Sequence, residues 1–333
     1  RLLNKIAILL SIPRNDQPEK IIDRTILNKS REIIGKANYY CFIGIEKKGL
    51  IWSGLLSETY KCPLIYYSLE LYLEDNPVLD RVYHLLSAER KLHNLSIATI
   101  IQDRLRAQAL LSGNRIEKTN VIYLPVSSRG KVIRERSFFL HDRLKINRNK
   151  KIILYFGGLD KTRSIAEIVS SAANLDQDSI LLLHGFGPKR YIRYLLSIAN
   201  SEKVKFSFDF VPEDQILELV SSAHIGVSLY KTTNANDRLV AFSASKIAYY
   251  TQCGVPMIAF DTESFRELSR AHQCIELIST FDQIPQKTRK ILENYDLYRE
   301  EAFAAYDDFY NFEKNFARMI DELELVVDSD RKI

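Results

Sequence analysis

The chain has 333 residues, of which 46% are hydrophobic and 27% charged, and its formal net charge at pH 7 is +5. This is the balance of an ordinary globular protein of about two domains, and it excludes collagen-like and low-complexity classes because Gly and Pro number only 12 and 9. The apolar runs fall short of the ~18 residues that a membrane span requires, and no secretory signal pattern opens the chain, so we expect a cytoplasmic protein.

The charges are unevenly distributed along the chain. Residues 1–150 hold 26 basic and 15 acidic side chains, whereas residues 151–333 hold 21 and 27. This asymmetry predicts an anionic partner for the first part, such as a membrane surface, a nucleic acid or a phosphorylated ligand. Basic residues scattered over solvated helix faces would give the same count, and both interpretations stay open.

In the first part of the chain, short apolar segments alternate with segments of helical periodicity. The apolar segments lack polar alternation, as buried parallel strands do. They lie at 39–45, 63–69, 98–102 and 121–125, and the helical segments between them at 47–60, 77–94 and 103–113. This order predicts a doubly wound parallel sheet.

The alternation stops at residues 128–150, which are basic and weakly periodic and are interpreted as a linker. It then restarts with predicted strands at 151–158, 180–188, 203–212, 223–230 and 255–260, and a long helical segment covers 284–325. The predicted fold is therefore α/β, with two Rossmann-like lobes facing a cleft. The first lobe spans 1–127 and the second 151–304.

Three strand-to-helix turns of the second lobe could bind a ligand, because ligands of open α/β sheets lie at the carboxyl ends of strands. In FGGLDKTRS (156–164), Gly157 and Gly158 let the backbone approach a ligand, and the Arg163 guanidinium suits phosphate oxygens, with Lys161 close by in sequence. A plain tight turn is the alternative. The turn HGFGP (184–188) lacks the third glycine and the later acidic residue of a dinucleotide fingerprint, so we do not predict NAD binding.

The third turn opens a short helix in FSASKIAYYTQCG (242–254). Ser243 or Ser245 is predicted to cap this helix, and its free N–H groups together with Lys246 would favour an anion. Two turns that could each bind a phosphate follow neighbouring strands, which predicts a diphosphate site. The alternative interpretation is that they are two unrelated capped helices without a shared ligand.

These segments, in this order, resemble the donor lobe of GT-B glycosyltransferases, and most of all the retaining group 1 (family 4) enzymes. The resemblance is carried by YFGGLDKTR, LLLHGFGP, FDFVPEDQILELVSSAHIGVSLY and SASKIAYYTQCGVPMIAFDTESFREL, and more loosely by YYSLELY and VIYLPV in the first lobe. It implies that the helical segment 305–333 crosses back to the first lobe. It also implies more chain before residue 39 than is present, so an incomplete first lobe is expected.

Carried over residue by residue, the resemblance implies roles for several positions. Arg163 and Lys246 would act on the donor diphosphate, with Gly157 and Gly158 in the turn that approaches it. Phe210 and Val211 would border the base, and Ser245 would open the helix that faces the diphosphate and the sugar.

The sequence also departs from the family pattern. Ala241 and Tyr249 stand where the family has two glutamates, and Tyr249 could still bond a ribose. Gly158 stands where an arginine is common. The Leu69–Glu70 pair replaces a histidine and a glutamate, which leaves Glu70 as the acceptor-side candidate.

The function implied is transfer of a sugar, with retention, from a nucleotide-diphosphate donor to a hydroxyl of a glycan or a lipid-linked sugar. No metal and no cofactor besides the nucleotide sugar is expected, since the six histidines form no HxxxH or HxH pair. The basic first lobe would suit an anionic membrane surface on the cytoplasmic side.

The main alternative is a catalytically degenerate module of the same fold that binds a nucleotide sugar or a partner protein without turnover. A sugar-nucleotide epimerase would need acidic and histidine groups that the pattern does not place. A nucleic-acid partner is not expected, because the basic residues are not interleaved with an aromatic stripe.

Overall fold

A computed structural model describes residues 24–35, 38–73, 79–230 and 232–331. Contacts between residues divide the chain into two compact units. The first unit contains the residues up to Leu124 together with those from Phe316 onward, and the second unit is Pro125–Asn315. Among the described residues, no helix has the length and the apolar character needed to cross a membrane.

Strands and helices alternate through the described chain. The strands are β1 Phe42–Ile45, β2 Leu64–Tyr67, β3 Ala98–Ile101, β4 Asn120–Tyr123, β5 Lys151–Phe156, β6 Ser179–His184, β7 Val204–Ser207, β8 Ile225–Ser228, β9 Met257–Phe260 and β10 Ile275–Ile278. The helices are α1 Arg24–Ile34, α2 Glu46–Tyr60, α3 Leu79–Asn94, α4 Arg104–Asn114, α5 Phe139–Leu144, α6 Ile165–Ser171, α7 Lys189–Ile198, α8 Ile216–Ser221, α9 Ala235–Arg238, α10 Ser245–Gln252, α11 Glu263–Ala271, α12 Ile284–Glu293, α13 Tyr295–Ala305 and α14 Phe312–Asp330.

The first unit contains a parallel sheet of order β1-β2-β3-β4. Every residue of β3 is buried, which is why this segment reads as a continuous apolar run without polar alternation. From Phe316 onward, α14 belongs to this unit, where its apolar stripe of Met319, Leu323 and Val327 packs into the same core cluster as Ile65 and Ile122. A stripe at this spacing faces one side of a helix and buries it against the sheet.

The second unit contains a parallel sheet of order β10-β9-β8-β5-β6-β7. Successive residues of one strand enter different apolar clusters, with Leu154 in one and Ile153 in the other, so helices cover both faces of the sheet. Both units are thus Rossmann-like α/β lobes, as the alternation predicts. The strand order reverses between β5 and β8, which makes their carboxyl ends the topological switch point.

Two regions differ from the sequence interpretation. The sequence predicts no strand at β10, where Glu276 interrupts the apolar run and is ion-paired with Lys287 and Lys290. The predicted linker 128–150 contains α5 and is part of the second unit, with Leu140 fully buried and the N–H of Ile133 bonded to the carbonyl of Gln252. Its basic residues hid this packing, because Arg148 and Arg134 lie over the aromatic rings of Phe138 and Phe303 instead of extending freely into water.

Candidate functional site

The turn after β5 is held in place by backbone contacts with the turn after β6. The N–H of Gly157 donates to the carbonyl of His184 at 3.0 Å, and the N–H of Leu159 donates to that of Phe186 at 2.8 Å. A Cβ atom on Gly185 would lie 1.9 Å from the Gly157 carbonyl oxygen, and one on Gly187 would lie 1.9 Å from that of Leu159. The glycines of the HGFGP turn therefore permit close packing of the two backbones, and this packing explains why glycine occurs at both positions.

Arg163 lies at the end of the turn that follows β5. The side chain of Asp160 accepts from the N–H of Thr162 and shapes the single helical turn Lys161–Arg163 that precedes α6. The Arg163 guanidinium lies 5.1 Å from the ring centroid of Tyr230, just beyond β8, and 3.4 Å from the Asp237 carboxylate. Lys161, in contrast, is exposed and lines a separate outer groove of about 780 Å³.

Lys246 reaches the same place from the first turn of α10. Its ammonium nitrogen lies 4.1 Å from the ring centroid of Tyr155 and 5.4 Å from that of Tyr230. A Cβ atom on Gly157 would lie 3.5 Å from that nitrogen, so the glycine leaves room beside it. Gly157, Arg163, Tyr230 and Lys246, from turns after β5 and β8 and from α10, form what we call the switch-point site.

The electrostatic state of Lys246 is unusual for a lysine. Burial against the aromatic rings and, to a smaller extent, the positive charge of Arg163 together lower the pKa of Lys246 to about 7. Within the part of the chain that the structure describes, no carboxylate forms an ion pair with this side chain. An amine without a carboxylate beside a guanidinium is suited to an anion supplied from outside.

The cap predicted for α10 is wrong. The residue that precedes the helix is Ala244, with extended backbone and no side-chain cap, and Ser245 is the first helical residue and is exposed. The Ser243 hydroxyl donates instead to the carbonyls of Leu239 and Val240. A short hydroxyl side chain often bonds the preceding turn in this way, and the sequence does not reveal which bond it makes.

The residues expected at the base and ribose lie on neighbouring segments with unequal exposure. Phe210 is 75% exposed after β7, whereas Val211 is buried in the core, so only the backbone of Val211 can border a ligand. Tyr249 is half-buried, with its ring centroid 6.4 Å from that of Phe156. Partial burial and the nearby Glu213 carboxylate raise the pKa of Tyr249, so its hydroxyl stays protonated at neutral pH.

The two other notable positions have defined surroundings. Gly158 lies next to Asp160, since a Cβ atom on Gly158 would be 3.3 Å from an Asp160 carboxylate oxygen. Ala241 is fully buried, its N–H donates to the Ser264 hydroxyl, and its carbonyl accepts from the Tyr310 hydroxyl at 2.9 Å. Ala241 therefore offers no group to a ligand.

In the first unit, Glu70 is exposed on the loop after β2, and its neighbours hold that loop from two sides. One carboxylate oxygen of Glu46 accepts from the N–H groups of Leu69 and Glu70, at 2.6 and 2.9 Å. The buried Arg106 guanidinium donates to the Leu69 carbonyl at 2.6 Å. The sequence did not indicate Glu46 or Arg106, because the loop groups that they hold are backbone groups more than 20 residues away in the chain.

The sequence also missed Tyr155, Tyr230 and Asp237 at the switch-point site. A tyrosine lies near the carboxyl end of both β5 and β8, but this is a signal only once the two strands are known to be neighbours in the sheet. Among the described residues, no group of three or more His, Cys, Asp and Glu side chains could hold a metal ion.

Comparison with known proteins places this geometry in context. No protein-family model matches the sequence, and none of the curated proteins matches it significantly. Among solved structures, the chain is similar to sucrose-phosphate synthase from Thermosynechococcus elongatus, with a TM-score of 0.72 and 16% identity over 98% of this chain and 82% of that one. It is also similar to Anabaena Alr3699/HepE in complex with UDP, with a TM-score of 0.68 and 15% identity over 90% and 81%.

A third similar structure is the apo form of the lipopolysaccharide outer core galactosyltransferase WaaB, with a TM-score of 0.57 and 11% identity over 88% of this chain and 78% of that one. At these identities the likeness concerns the fold. The two parallel-sheet units and this likeness together show that the chain has the GT-B fold.

Proposed function

We propose that the protein is a glycosyltransferase that moves a sugar from a nucleotide-diphosphate donor to a hydroxyl acceptor. The observation that carries the proposal is the placement of Lys246, an amine without a carboxylate partner among the described residues, beside Arg163 and Gly157 at the switch point. Similar structures include HepE in complex with UDP and with UDP-glucose. UDP is therefore the first nucleotide to test on this chain.

In the proposed reaction, the bond between the sugar and the diphosphate breaks, and negative charge develops on the leaving phosphate oxygen. Arg163 and Lys246 would stabilise that charge from fixed positions, with no metal ion required. An approaching diphosphate favours the protonated amine, so Lys246 would take up a proton on binding and be fully charged in the complex.

The finer features of the reaction belong to the same proposal. Phe210, which is exposed after β7, would border the base. The Tyr249 hydroxyl would bond the ribose, since Tyr249 lies on the same helix as Lys246. Glu70 would contact an acceptor hydroxyl on a glycan or a lipid-linked sugar, with retention at the sugar carbon. The excess of basic residues before residue 150 would bring the enzyme to an anionic membrane surface.

A second candidate is a module that binds a nucleotide sugar without turnover. It is favoured by Ala241 and Tyr249, which stand where the family pattern has carboxylates and of which Ala241 is fully buried. The two functions separate in one experiment, because the module would bind the donor yet release no free nucleotide diphosphate in the presence of any acceptor.

We expect one of UDP, GDP and ADP to raise the melting temperature of the wild type and to raise that of Arg163→Ala much less. Saturation at 100 times the dissociation constant stabilises a protein by about 2.7 kcal/mol, which a thermal-shift titration resolves. Arg148→Ala is the matched control, because Arg148 is also an ion-paired arginine of this unit but pairs with Asp142, away from the switch-point site. A shift with none of the three nucleotides would contradict the donor-site assignment.

The affinity for that nucleotide is expected to fall as the pH rises above 7. The free Lys246 has a pKa of about 7 and the bound form a higher one, so binding takes up a proton in this range and weakens by up to about tenfold per pH unit. Titrations between pH 7 and 9 measure this slope. Lys246→Arg, which stays charged, is expected to remove it, and an unchanged slope in that variant would exclude Lys246 as its source.

A further inference from the structure

Asp237 stands at the switch-point site without a part in the function proposed above. Its carboxylate lies 3.4 Å from the Arg163 guanidinium, and its side chain is only 20% exposed. It lies in the short helix α9, where the Asn234 amide donates to its other carboxylate oxygen at 2.9 Å and its own N–H donates to the Asn234 oxygen at 3.1 Å. Asn234 thus fixes the carboxylate independently of Arg163.

We propose that Asp237 is an internal counter-ion that occupies Arg163 in the empty site and competes with the donor diphosphate for it. This inference rests on the proposed function, since it concerns the same anion site. A diphosphate that binds Arg163 must replace the Asp237 contact and must accept a negative charge nearby. Asp237 therefore lowers the affinity for the diphosphate and speeds the release of the nucleotide product.

The surroundings argue against a role in which Asp237 only orients Arg163. The guanidinium already lies against the ring of Tyr230, and the Asp160 cap shapes the turn that carries Arg163. The contact with Asp237 is long at 3.4 Å, and Arg163 remains 38% exposed, which is the geometry of a contact that another anion can replace. In the described part of the chain, Lys246 forms no ion pair with a carboxylate, whereas Arg163 is paired with Asp237.

The test compares anion binding by the full chain with and without this carboxylate. Asp237→Asn is expected to bind inorganic pyrophosphate and UDP about tenfold more tightly than the wild type in calorimetric titrations at pH 7. In the Arg163→Ala background the same substitution is expected to have less than half of this effect, because the competition acts through Arg163. Asp237→Ala repeats the comparison without the new amide. Asp142→Asn, which removes the partner of Arg148, is the control outside the site.

The outcomes are distinct. Tighter binding by Asp237→Asn that depends on Arg163 supports the competition, also when the wild type binds too weakly to measure. Equal or weaker binding by Asp237→Asn, with measurable binding by the wild type, overturns it and leaves the proposed function standing. Binding of neither anion by the wild type or by either Asp237 variant overturns the competition and the anion site together. Melting curves without ligand show whether each variant is folded.

Discussion

Lys246→Met is expected to weaken nucleotide-diphosphate binding about 100-fold and to raise the melting temperature of the free protein. The loss follows because a hydrogen bond to a charged group contributes about 1.5–3 kcal/mol. The gain follows because methionine fills similar space between the rings of Tyr155 and Tyr230 without an amine that must be desolvated. Affinity and melting temperature change in opposite directions if Lys246 binds the ligand and destabilises the free protein. If Lys246 were a structural residue, the variant would lose both affinity and stability.

Lys246→Arg is the matched variant for this prediction, since it keeps the charge and changes the shape. We expect it to retain most of the binding lost in Lys246→Met. The measurement is a calorimetric titration with the nucleotide that stabilises the wild type, together with melting curves without ligand. Binding that is equally strong in Lys246→Met and in the wild type would remove Lys246 from the site.

Gly185→Ala is expected to destabilise the second unit by about 3 kcal/mol or more and to abolish nucleotide binding. The backbone of Gly185 has φ near +146°, which other residues rarely adopt, and an added Cβ would lie 1.9 Å from the Gly157 carbonyl oxygen. Two backbones are in contact here, so neither can give way as a flexible side chain would. The turn that carries Gly157 would have to shift, which would change the space beside Lys246.

Gly130→Ala separates the effect of a positive φ from the effect of the close contact with the Gly157 carbonyl. Gly130 also has a positive φ, of +88°, but a Cβ there would meet only the Gln252 amide at 3.9 Å. We expect this variant to lose about 1 kcal/mol and to keep nucleotide binding. Denaturant unfolding gives the free energies of both variants, and equal values would show that the close contact with Gly157 contributes nothing.

The hydrophobic periodicity of the sequence predicts most of the strands and helices, but it does not predict the contacts of individual polar side chains. Parallel strands that are buried on both faces consist of short apolar runs such as ATII in β3, and the regular alternation of such runs with segments of helical periodicity identifies them. β10 was missed because Glu276 breaks its run, and only the fold brings Lys287 and Lys290 to that carboxylate. The cap at Ser243 was predicted wrongly because its hydroxyl can bond either of two turns, and the energies of these local bonds differ little.

The candidate site shows the same division. Local chemistry pointed to Gly157, Arg163 and Lys246, since a glycine turn and a basic residue at a helix start can be recognised from neighbouring residues. Asp237 and the two tyrosines could not be found in this way. Their significance depends on the reversal of strand order between β5 and β8, which joins segments some 75 residues apart, as the contact of Arg163 with Asp237 shows.

The α/β class, the two lobes and the cationic residues of the second lobe could all be predicted from the sequence, because they depend on periodicity and on local turn chemistry. The state of those residues depends on the tertiary structure. This structure set the pKa of Lys246 through aromatic burial, gave Arg163 a competing carboxylate and placed the linker residues in the second unit. Burial and charge at a site depend on what lies around it in space, and parallel sheets bring together residues that are far apart in the chain.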